Sequence, residues 1–203
     1  MTAEKPQSRK KIAMLGGSFN PPHIGHLFLA DEVMRQLGYD KVLFVPARLH
    51  PFKGEPVGAG PEDRLAMLKP AVEDNPGFEI EVCELEREET SYTFDTVTLL
   101  EQKYRGELEG KIGLIIGDDL AADFDKWYRA EELPDRADII LARRMAGSGN
   151  ILFPWRHISL DNALLPVSSS DIRERIAGGR SWRYLVSPAV FRYIIQRKLY
   201  GYR

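Results

Sequence analysis

The chain has 203 residues, 43% of them hydrophobic, which is enough for one domain with a substantial apolar core. It carries 28 lysines and arginines against 30 aspartates and glutamates, so the net charge of −2 excludes a general surface for nucleic acid. Cys83 is the only cysteine, which excludes an intrachain disulfide and a multi-cysteine zinc site and indicates a reducing compartment.

Residues 1–10 are polar and lack the apolar segment of a signal peptide, so we predict a disordered tail there. No apolar run approaches the roughly 20 residues that a membrane-spanning helix needs. We therefore expect a cytoplasmic protein that acts on neither membranes nor nucleic acid. The sequence does not indicate an oligomeric state.

From residue 11 onward, apolar runs typical of buried strands alternate with helical patterns that have one apolar face. The predicted strands are 11–16, 41–46, 78–85, 111–117, 137–142 and a short sixth at 156–160, and the predicted helices are 25–37, 61–73, 91–103, 169–176 and 188–198. Gly38 suits the left-handed residue that follows a helix, and 47–61 is a loop rich in proline and glycine. Ser91 and Thr93 are candidate hydroxyl caps of the third helix.

This alternation predicts an α/β fold, a Rossmann-like, doubly wound, open parallel sheet. We expect a single domain over residues 11–203, with a C-terminal helical part at 166–203 that returns to the sheet. Ligands of such sheets bind beyond the carboxyl ends of the strands, and the loops discussed below all follow strand ends.

The first strand leads into a glycine pair, Gly16 and Gly17, and then into two histidines, His23 and His26, at the start of a helix. Small residues let a phosphate approach backbone N–H groups, and a helix N-terminus attracts an anion. Histidine can add a donor or a positive charge. The loop contains neither Gly-x-Gly-x-x-Gly nor Gly-Lys-Ser/Thr, which argues against redox dinucleotide binding and against P-loop hydrolysis. The pattern favours a nucleotide-phosphate site.

A metal pair is the competing hypothesis for these histidines, because residues three apart share a helix face. Zinc would need a third protein ligand, and the other histidines are His50 and His157. A tight turn with capping histidines is the second alternative.

Five separated motifs resemble one family. They are Gly16 to Leu27, His50-Pro51-Phe52-Lys53, Ser91 to Thr96, Gly117-Asp118-Asp119 with Trp127 eight residues after Asp119, and Ser168 to Arg173. Together they resemble the nucleotidyltransferases with a His-x-Gly-His motif and, within these, the bacterial nicotinate-nucleotide adenylyltransferases. The resemblance implies that ATP and nicotinate mononucleotide react to give deamido-NAD and pyrophosphate.

The resemblance also implies the roles of individual residues. The implied catalytic residues are His23, His26, Lys53 and Arg173. The implied ATP-binding residues are Gly16, Gly17, Ser18, Phe19, His23, His26, Ser169, Ser170 and Arg173. The implied mononucleotide-binding residues are Ser18, Asn20, Lys53, Thr93, Asp119, Trp127 and Tyr128, with the Trp127 ring stacked on the pyridine. Mg²⁺ is expected to bridge the ATP phosphates, with few or no protein ligands.

The chain departs from the family pattern at two places. Phe52 stands where the family usually has a histidine, and Glu88-Glu89-Thr90 lacks the usual glycine. Arg64 is expected to be structural, and Arg143 and Arg144 are ambiguous. Three functional alternatives remain open: a preference for nicotinamide mononucleotide, adenylylation of phosphopantetheine, and a non-catalytic nucleotide sensor on the same fold.

Overall fold

The protein is described here from a computed structural model, over residues 9–48, 58–87, 89–144 and 153–203. In this part of the chain six parallel strands form one sheet in the order β3-β2-β1-β4-β5-β6. The strands are Ile12–Gly17 (β1), Lys41–Pro46 (β2), Phe78–Ile80 (β3), Ile112–Gly117 (β4), Ala137–Ala142 (β5) and Ile158–Leu160 (β6). This confirms the predicted doubly wound parallel sheet. The strand order reverses between β1 and β4, and such a point creates a crevice beyond the strand ends.

The helices alternate with these strands. They are Ile24–Leu37 (α1), Pro61–Val72 (α2), Cys83–Glu86 (α3), Thr93–Lys103 (α4), Asp118–Ala121 (α5), Leu133–Arg136 (α6), Ser169–Ala177 (α7) and Pro188–Arg197 (α8), with short 3₁₀ turns at Phe124–Lys126, Ala130–Glu132, Arg183–Leu185 and Leu199–Gly201. Gly38 ends α1 at φ 69°, as predicted, because a residue without a Cβ adopts the left-handed conformation without steric cost.

Successive side chains of each central strand point to opposite faces of the sheet, and both faces are covered. On one face Met14 and Leu114 pack with Val97 of α4. On the other face Leu15 packs with Val33 of α1. Burial on both sides explains why these strands are continuous apolar runs rather than alternating ones.

Two local predictions were wrong. The strand predicted at 78–85 ends at Ile80, because Glu81 is buried and its carboxylate accepts hydrogen bonds from the Cys83 amide at 3.2 Å and the Lys103 ammonium at 2.7 Å. The predicted hydroxyl cap of α4 is also absent. Tyr92 precedes the helix without a side-chain cap, and the buried Ser91 hydroxyl has no hydrogen-bond partner among the described residues.

The C-terminal helices build a third apolar cluster against α2, away from the two faces of the sheet. Met67 of α2 packs with residues of α7, α8 and the chain between them, including Ile172, Trp182, Val190 and Ile194. The C-terminal part therefore packs on α2. This packing places the N-terminus of α7 beside the loop that follows β1.

Residues 1–8 of the predicted tail lie outside the described part of the chain, as does most of the predicted loop at 47–61. Lys10, which we assigned to the tail, pairs with Leu108 in an isolated parallel bridge. No helix within the described ranges is both long and apolar enough to cross a membrane.

Candidate active site

A cleft of about 630 Å³ opens beyond the carboxyl ends of β1, β2, β4 and β5, where the strand order reverses. The N-termini of α1 and α7 close two of its sides. Ten of the residues implied as site residues line it, namely Gly16, Gly17, Ser18, Asn20, His23, His26, Asp119, Ser169, Ser170 and Arg173. Residues that are up to about 150 positions apart in sequence therefore meet in one cavity.

The two histidines form one stacked pair at the start of α1. Their ring centroids are 3.6 Å apart and their planes differ by 26°. His23 is 3% exposed, and neither of its ring nitrogens has a hydrogen-bond partner among the described residues. Because an unpaired buried polar atom costs roughly 1–3 kcal/mol, this ring is poised for a ligand that brings an acceptor or a donor.

The two ring nitrogens of His26 have different roles: Nδ1 accepts a hydrogen bond within the protein, and Nε2 is a donor. The backbone N–H of His23 donates to Nδ1 of His26 at 3.1 Å, which pairs a free amide at the helix start. An accepting nitrogen carries no hydrogen in a neutral imidazole, so the proton of His26 sits on Nε2. His26 is thus a neutral N–H donor that lines the cleft.

Burial keeps both rings neutral. It lowers the pKa of His23 from 6.5 to about 3, with a smaller contribution from the positive charge of Arg144. The pKa of His26 is also lowered well below 6.5, first by burial, then by His23 and Arg144. An anion bound beside the ring nitrogens would oppose both effects, since opposite charge favours the imidazolium form.

Gly25 makes the stacked arrangement possible. A Cβ at this position would lie 2.8 Å from Cγ1 of Val167 and 3.1 Å from Nδ1 of His23. The glycine between the two histidines is therefore required by close packing against the His23 ring and the segment before α7. The spacing His-x-Gly-His has a steric cause as well as a chemical one.

The N-terminus of α7 is attached to the loop that follows β1. Ser168 caps the helix by accepting from the Asp171 amide at 3.1 Å. The Ser169 hydroxyl donates to the carbonyl oxygen of Pro21 at 2.9 Å. Arg173 donates from Nη1 to the carbonyl oxygen of Asn20 at 2.7 Å. The helix start that faces the cleft is thereby held at a set distance from the histidine pair.

Asp119 lines the cleft where α5 begins, and with Ser168 and Asp171 it also lines a smaller pocket at the start of α7. Its carboxylate accepts from Arg144 Nη1 at 3.4 Å, and the Arg144 amide donates to Asp118 at 2.8 Å. A Cβ on Gly117 would lie 2.2 Å from Asp119 Oδ1, so the glycine before the two acids is needed for this side chain to fold back.

Four arginines besides Arg173 line the cleft: Arg64, which was expected to be structural, Arg143 and Arg144, which were ambiguous, and Arg48, which had no predicted role. With Arg173 they make five guanidinium groups against one carboxylate, that of Asp119, among the described lining residues. This excess favours a ligand with several negative charges, such as a nucleoside triphosphate. No local pattern marks these arginines, because they follow different strands or lie on different helices.

Arg64 is the arginine of the cleft whose position is most clearly fixed by burial and hydrogen bonds. It is 1% exposed, and its guanidinium donates to the carbonyl oxygens of Ser18 at 2.7 Å and Arg48 at 3.3 Å. It therefore ties the loop after β1 to the loop after β2, in agreement with the structural role predicted for it. No carboxylate within the described residues forms an ion pair with it.

Several implied site residues lie outside this lining. The Phe19 side chain is 1% exposed and packs edge-on against His26 at 4.9 Å, so it supports the ring from behind. Trp127 packs on Phe124 at 5.2 Å. Tyr128 is exposed and lies 4.8 Å from the ring of Tyr92.

Thr93 is the first residue of α4, beside Tyr92, and likewise does not line the cleft. Thr93, Trp127 and Tyr128 therefore occupy a neighbouring aromatic region. Lys53, His50 and Phe52 lie outside the described residues.

The described lining of the cleft offers few side chains that could bind a metal ion directly. Within the described ranges no three His, Cys, Asp or Glu side chains lie close enough together to hold a metal ion. The Asp119 carboxylate is the one hard anionic ligand of the described lining. A magnesium ion fits here only if a bound nucleotide supplies most of its oxygen ligands.

The buried neutral histidines make folding stability dependent on pH. Below pH 6.5 the unfolded chain binds a proton at His23 that the folded chain excludes down to about pH 3, so stability falls as the pH falls. From pH 7 to 5 this costs about 2 kcal/mol for one histidine. Denaturant unfolding of His23→Gln should show a smaller loss than wild type over this range. A loss equal to that of wild type would contradict the burial of a neutral ring.

Gly25→Ala should displace His23 because the added Cβ has no room. We expect about a tenfold loss of ATP affinity, measured by isothermal titration calorimetry, because a displaced His23 loses a hydrogen bond to a charged phosphate. Gly106→Ala is the matched control, since a Cβ there meets no atom within 4 Å. Equal affinities for the two variants would contradict the steric role of Gly25.

Comparison with known proteins assigns the family. The cytidylyltransferase-like family model matches residues 14–175. A probable nicotinate-nucleotide adenylyltransferase of Treponema pallidum is 41% identical over 203 residues, covering 94% of this chain and 98% of the relative. The nicotinate-nucleotide adenylyltransferase of Bacillus subtilis is 38% identical over 191 residues, with 94% and 98% covered.

A solved structure shares the fold. It is Plasmodium falciparum nicotinic acid mononucleotide adenylyltransferase complexed with APC, with a TM-score of 0.74, 20% identity and coverage of 96% of this chain and 99% of that one. At this identity the likeness concerns the fold alone. The identities of about 40% over nearly the full length carry the assignment. The chain is a member of the cytidylyltransferase-like family and, within it, of the nicotinate-nucleotide adenylyltransferases.

Proposed function

We propose that this protein transfers the adenylyl group of ATP to nicotinate mononucleotide, giving deamido-NAD and pyrophosphate. The observation that carries the proposal is the stacked histidine pair in a cleft rich in guanidinium groups, with both ring nitrogens of the buried His23 unpaired among the described residues. Membership of the family supports the choice of substrates. A cleft of this charge suits the phosphates of two nucleotides rather than a neutral ligand.

The chemistry is a direct in-line displacement. The phosphate of the mononucleotide attacks the α-phosphorus of ATP, a new P–O bond forms, and the bond to pyrophosphate breaks. The attacking phosphate is already ionised at neutral pH, so a general base is not needed. The barrier lies in alignment and in repulsion between anions, which positioned donors reduce.

The histidine pair meets the α-phosphate. His26 offers Nε2–H as a neutral donor in a water-poor position, where a hydrogen bond to developing charge is strong. Neither ring nitrogen of His23 has a hydrogen-bond partner among the described residues, so both are available to a phosphate. The backbone of Gly16, Gly17, Ser18 and Phe19 passes along the same wall and admits the nucleotide closely.

The leaving pyrophosphate lies toward α7. The N-terminal part of α7 contributes Ser169, Ser170 and the Arg173 guanidinium to the cleft. The free N–H groups at a helix start also attract an anion. Lys53, which lies outside the described residues, is proposed from the family resemblance to add a positive charge that binds the phosphates. A bound Mg²⁺ would supply charge neutralisation to the phosphates, and Asp119 is the carboxylate of the described lining that would hold it.

The attacking mononucleotide lies toward β4. Asp119 and Ser18 contact its polar groups from the cleft, and Thr93, Trp127 and Tyr128 form the pyridine end in the adjoining aromatic region. The Asn20 side chain lines the cleft, and its predicted contact with the mononucleotide stays part of this proposal. Its Oδ1 already accepts from Ala59 and Tyr200.

The reaction is tested by pyrophosphate release with ATP and one of three acceptors. We expect turnover with nicotinate mononucleotide to exceed turnover with nicotinamide mononucleotide and with phosphopantetheine. A preference for either other acceptor would contradict the substrate proposal, and no release with any of them would indicate a nucleotide sensor.

His26→Ala should lower kcat by about 10²-fold or more, because it removes a donor to the transition state. His157→Ala is the control, since His157 does not line the cleft. Steady-state kinetics with both substrates measures the effect. Unimpaired turnover of His26→Ala would contradict the assignment.

Trp127→Ala should raise the KM for nicotinate mononucleotide by about tenfold and leave that for ATP unchanged, because ring stacking serves the ground state as well. Trp155→Ala is the matched control, as its ring packs on the same Phe124 at 5.8 Å. If only the KM for ATP rose in Trp127→Ala, the pyridine site would lie elsewhere.

A further inference from the structure

The C-terminal turn reaches back to the loop that carries the histidine pair. The Tyr200 hydroxyl donates to Oδ1 of Asn20 at 2.7 Å, across 180 positions of sequence. Asn20 is 3% exposed and lies three residues before His23. A residue of the last turn therefore touches the loop between β1 and α1 directly.

Asn20 collects hydrogen bonds from three separate segments. Besides Tyr200, the Ala59 amide donates to its Oδ1 at 3.2 Å, and Arg173 donates to its backbone oxygen at 2.7 Å. The residue thus joins the start of α2, the start of α7 and the C-terminal turn. Moving any of these partners shifts the loop before His23.

Tyr200 is itself held firmly. Its backbone is left-handed, with φ 59° and ψ 28°, and Lys198 before it has φ 50°. Its ring lies against Gly58, where a Cβ would come within 2.8 Å of Cε1. Burial raises the pKa of the Tyr200 hydroxyl, so the group stays protonated and remains a donor. Non-glycine residues adopt such backbone conformations where the surrounding contacts enforce them.

We propose that Tyr200 is a positioning residue for adenylyl transfer: its hydroxyl orients Asn20 and thereby sets the place of His23 in the cleft. The inference rests on the proposed function for its catalytic consequence, and on the hydrogen bonds above for its geometry. It assigns the C-terminal turn a role in turnover without contact between Tyr200 and the reacting groups.

Tyr200→Phe removes the hydroxyl and keeps the ring. Tyr193→Phe is the matched control, because it removes a 2.8 Å hydrogen bond to Asp63 within the same C-terminal part. We expect kcat to fall about tenfold in Tyr200→Phe and less than twofold in Tyr193→Phe, with KM values near wild type and similar melting temperatures. Equal kcat values in the two variants would overturn the proposal.

Two further measurements separate this role from general stability and from the proposed reaction. In an Asn20→Ala background, Tyr200→Phe should cause no further loss of kcat, because Tyr200 acts through Asn20; a full second loss would contradict this. In the substrate-free protein, the histidine side-chain NMR resonances can be compared, with only four histidines to assign. The His23 resonance should shift in Tyr200→Phe and not in Tyr193→Phe.

The NMR comparison does not depend on activity. If wild type released no pyrophosphate but the His23 resonance shifted as expected, the proposed reaction would fail while the positioning geometry stood. If wild type were active and the resonance did not move, Tyr200 would have no influence on His23 and the inference would fail.

Discussion

The site depends on how one loop satisfies its hydrogen-bonding groups. The loop between β1 and α1 contains Pro21 and Pro22, which have no amide hydrogen, so it cannot form a regular internal ladder. Side chains from distant elements pair with its oxygen atoms instead. Arg64 reaches the Ser18 oxygen, Arg173 the Asn20 oxygen, and the Ser169 hydroxyl the Pro21 oxygen. The geometry of the cleft follows from these external contacts.

The same constraint explains why the C-terminal helices matter. Their apolar cluster with α2 brings α7 and the last turn against this loop. This packing brings Arg173 and Tyr200 close enough to form hydrogen bonds with Asn20. An apolar cluster that is not part of the sheet core thus determines where polar groups of the cleft stand.

Electrostatics gives the cleft its chemical character. Burial holds His23 and His26 neutral, and the positive charge of Arg144 acts in the same direction. A cavity with fixed positive charge and unpaired neutral donors is organised for an anion before the anion arrives. Such preorganisation is effective for phosphoryl and nucleotidyl chemistry, where charge must be met without rearranging solvent.

Periodicity predicted the strands and helices well where a buried apolar face decided them, as in β2 and α1. It failed after Ile80, because only the tertiary structure shows that Glu81 turns inward to meet Lys103. The prediction that the Ser91 hydroxyl caps α4 was wrong for a similar reason, because this hydroxyl is buried and makes no hydrogen bond among the described residues. Local pattern does not record which polar groups become buried.

The sequence by itself determined the sheet, its strand-end loops and the histidine motif, since each arises from neighbouring residues whose spacing sets local structure. Only the tertiary structure decided that Arg64, Arg144 and Tyr200 join the site. These side chains come from elements far apart in the chain, and their positions depend on how those elements pack. Their contacts exist only once the helices are packed around the sheet.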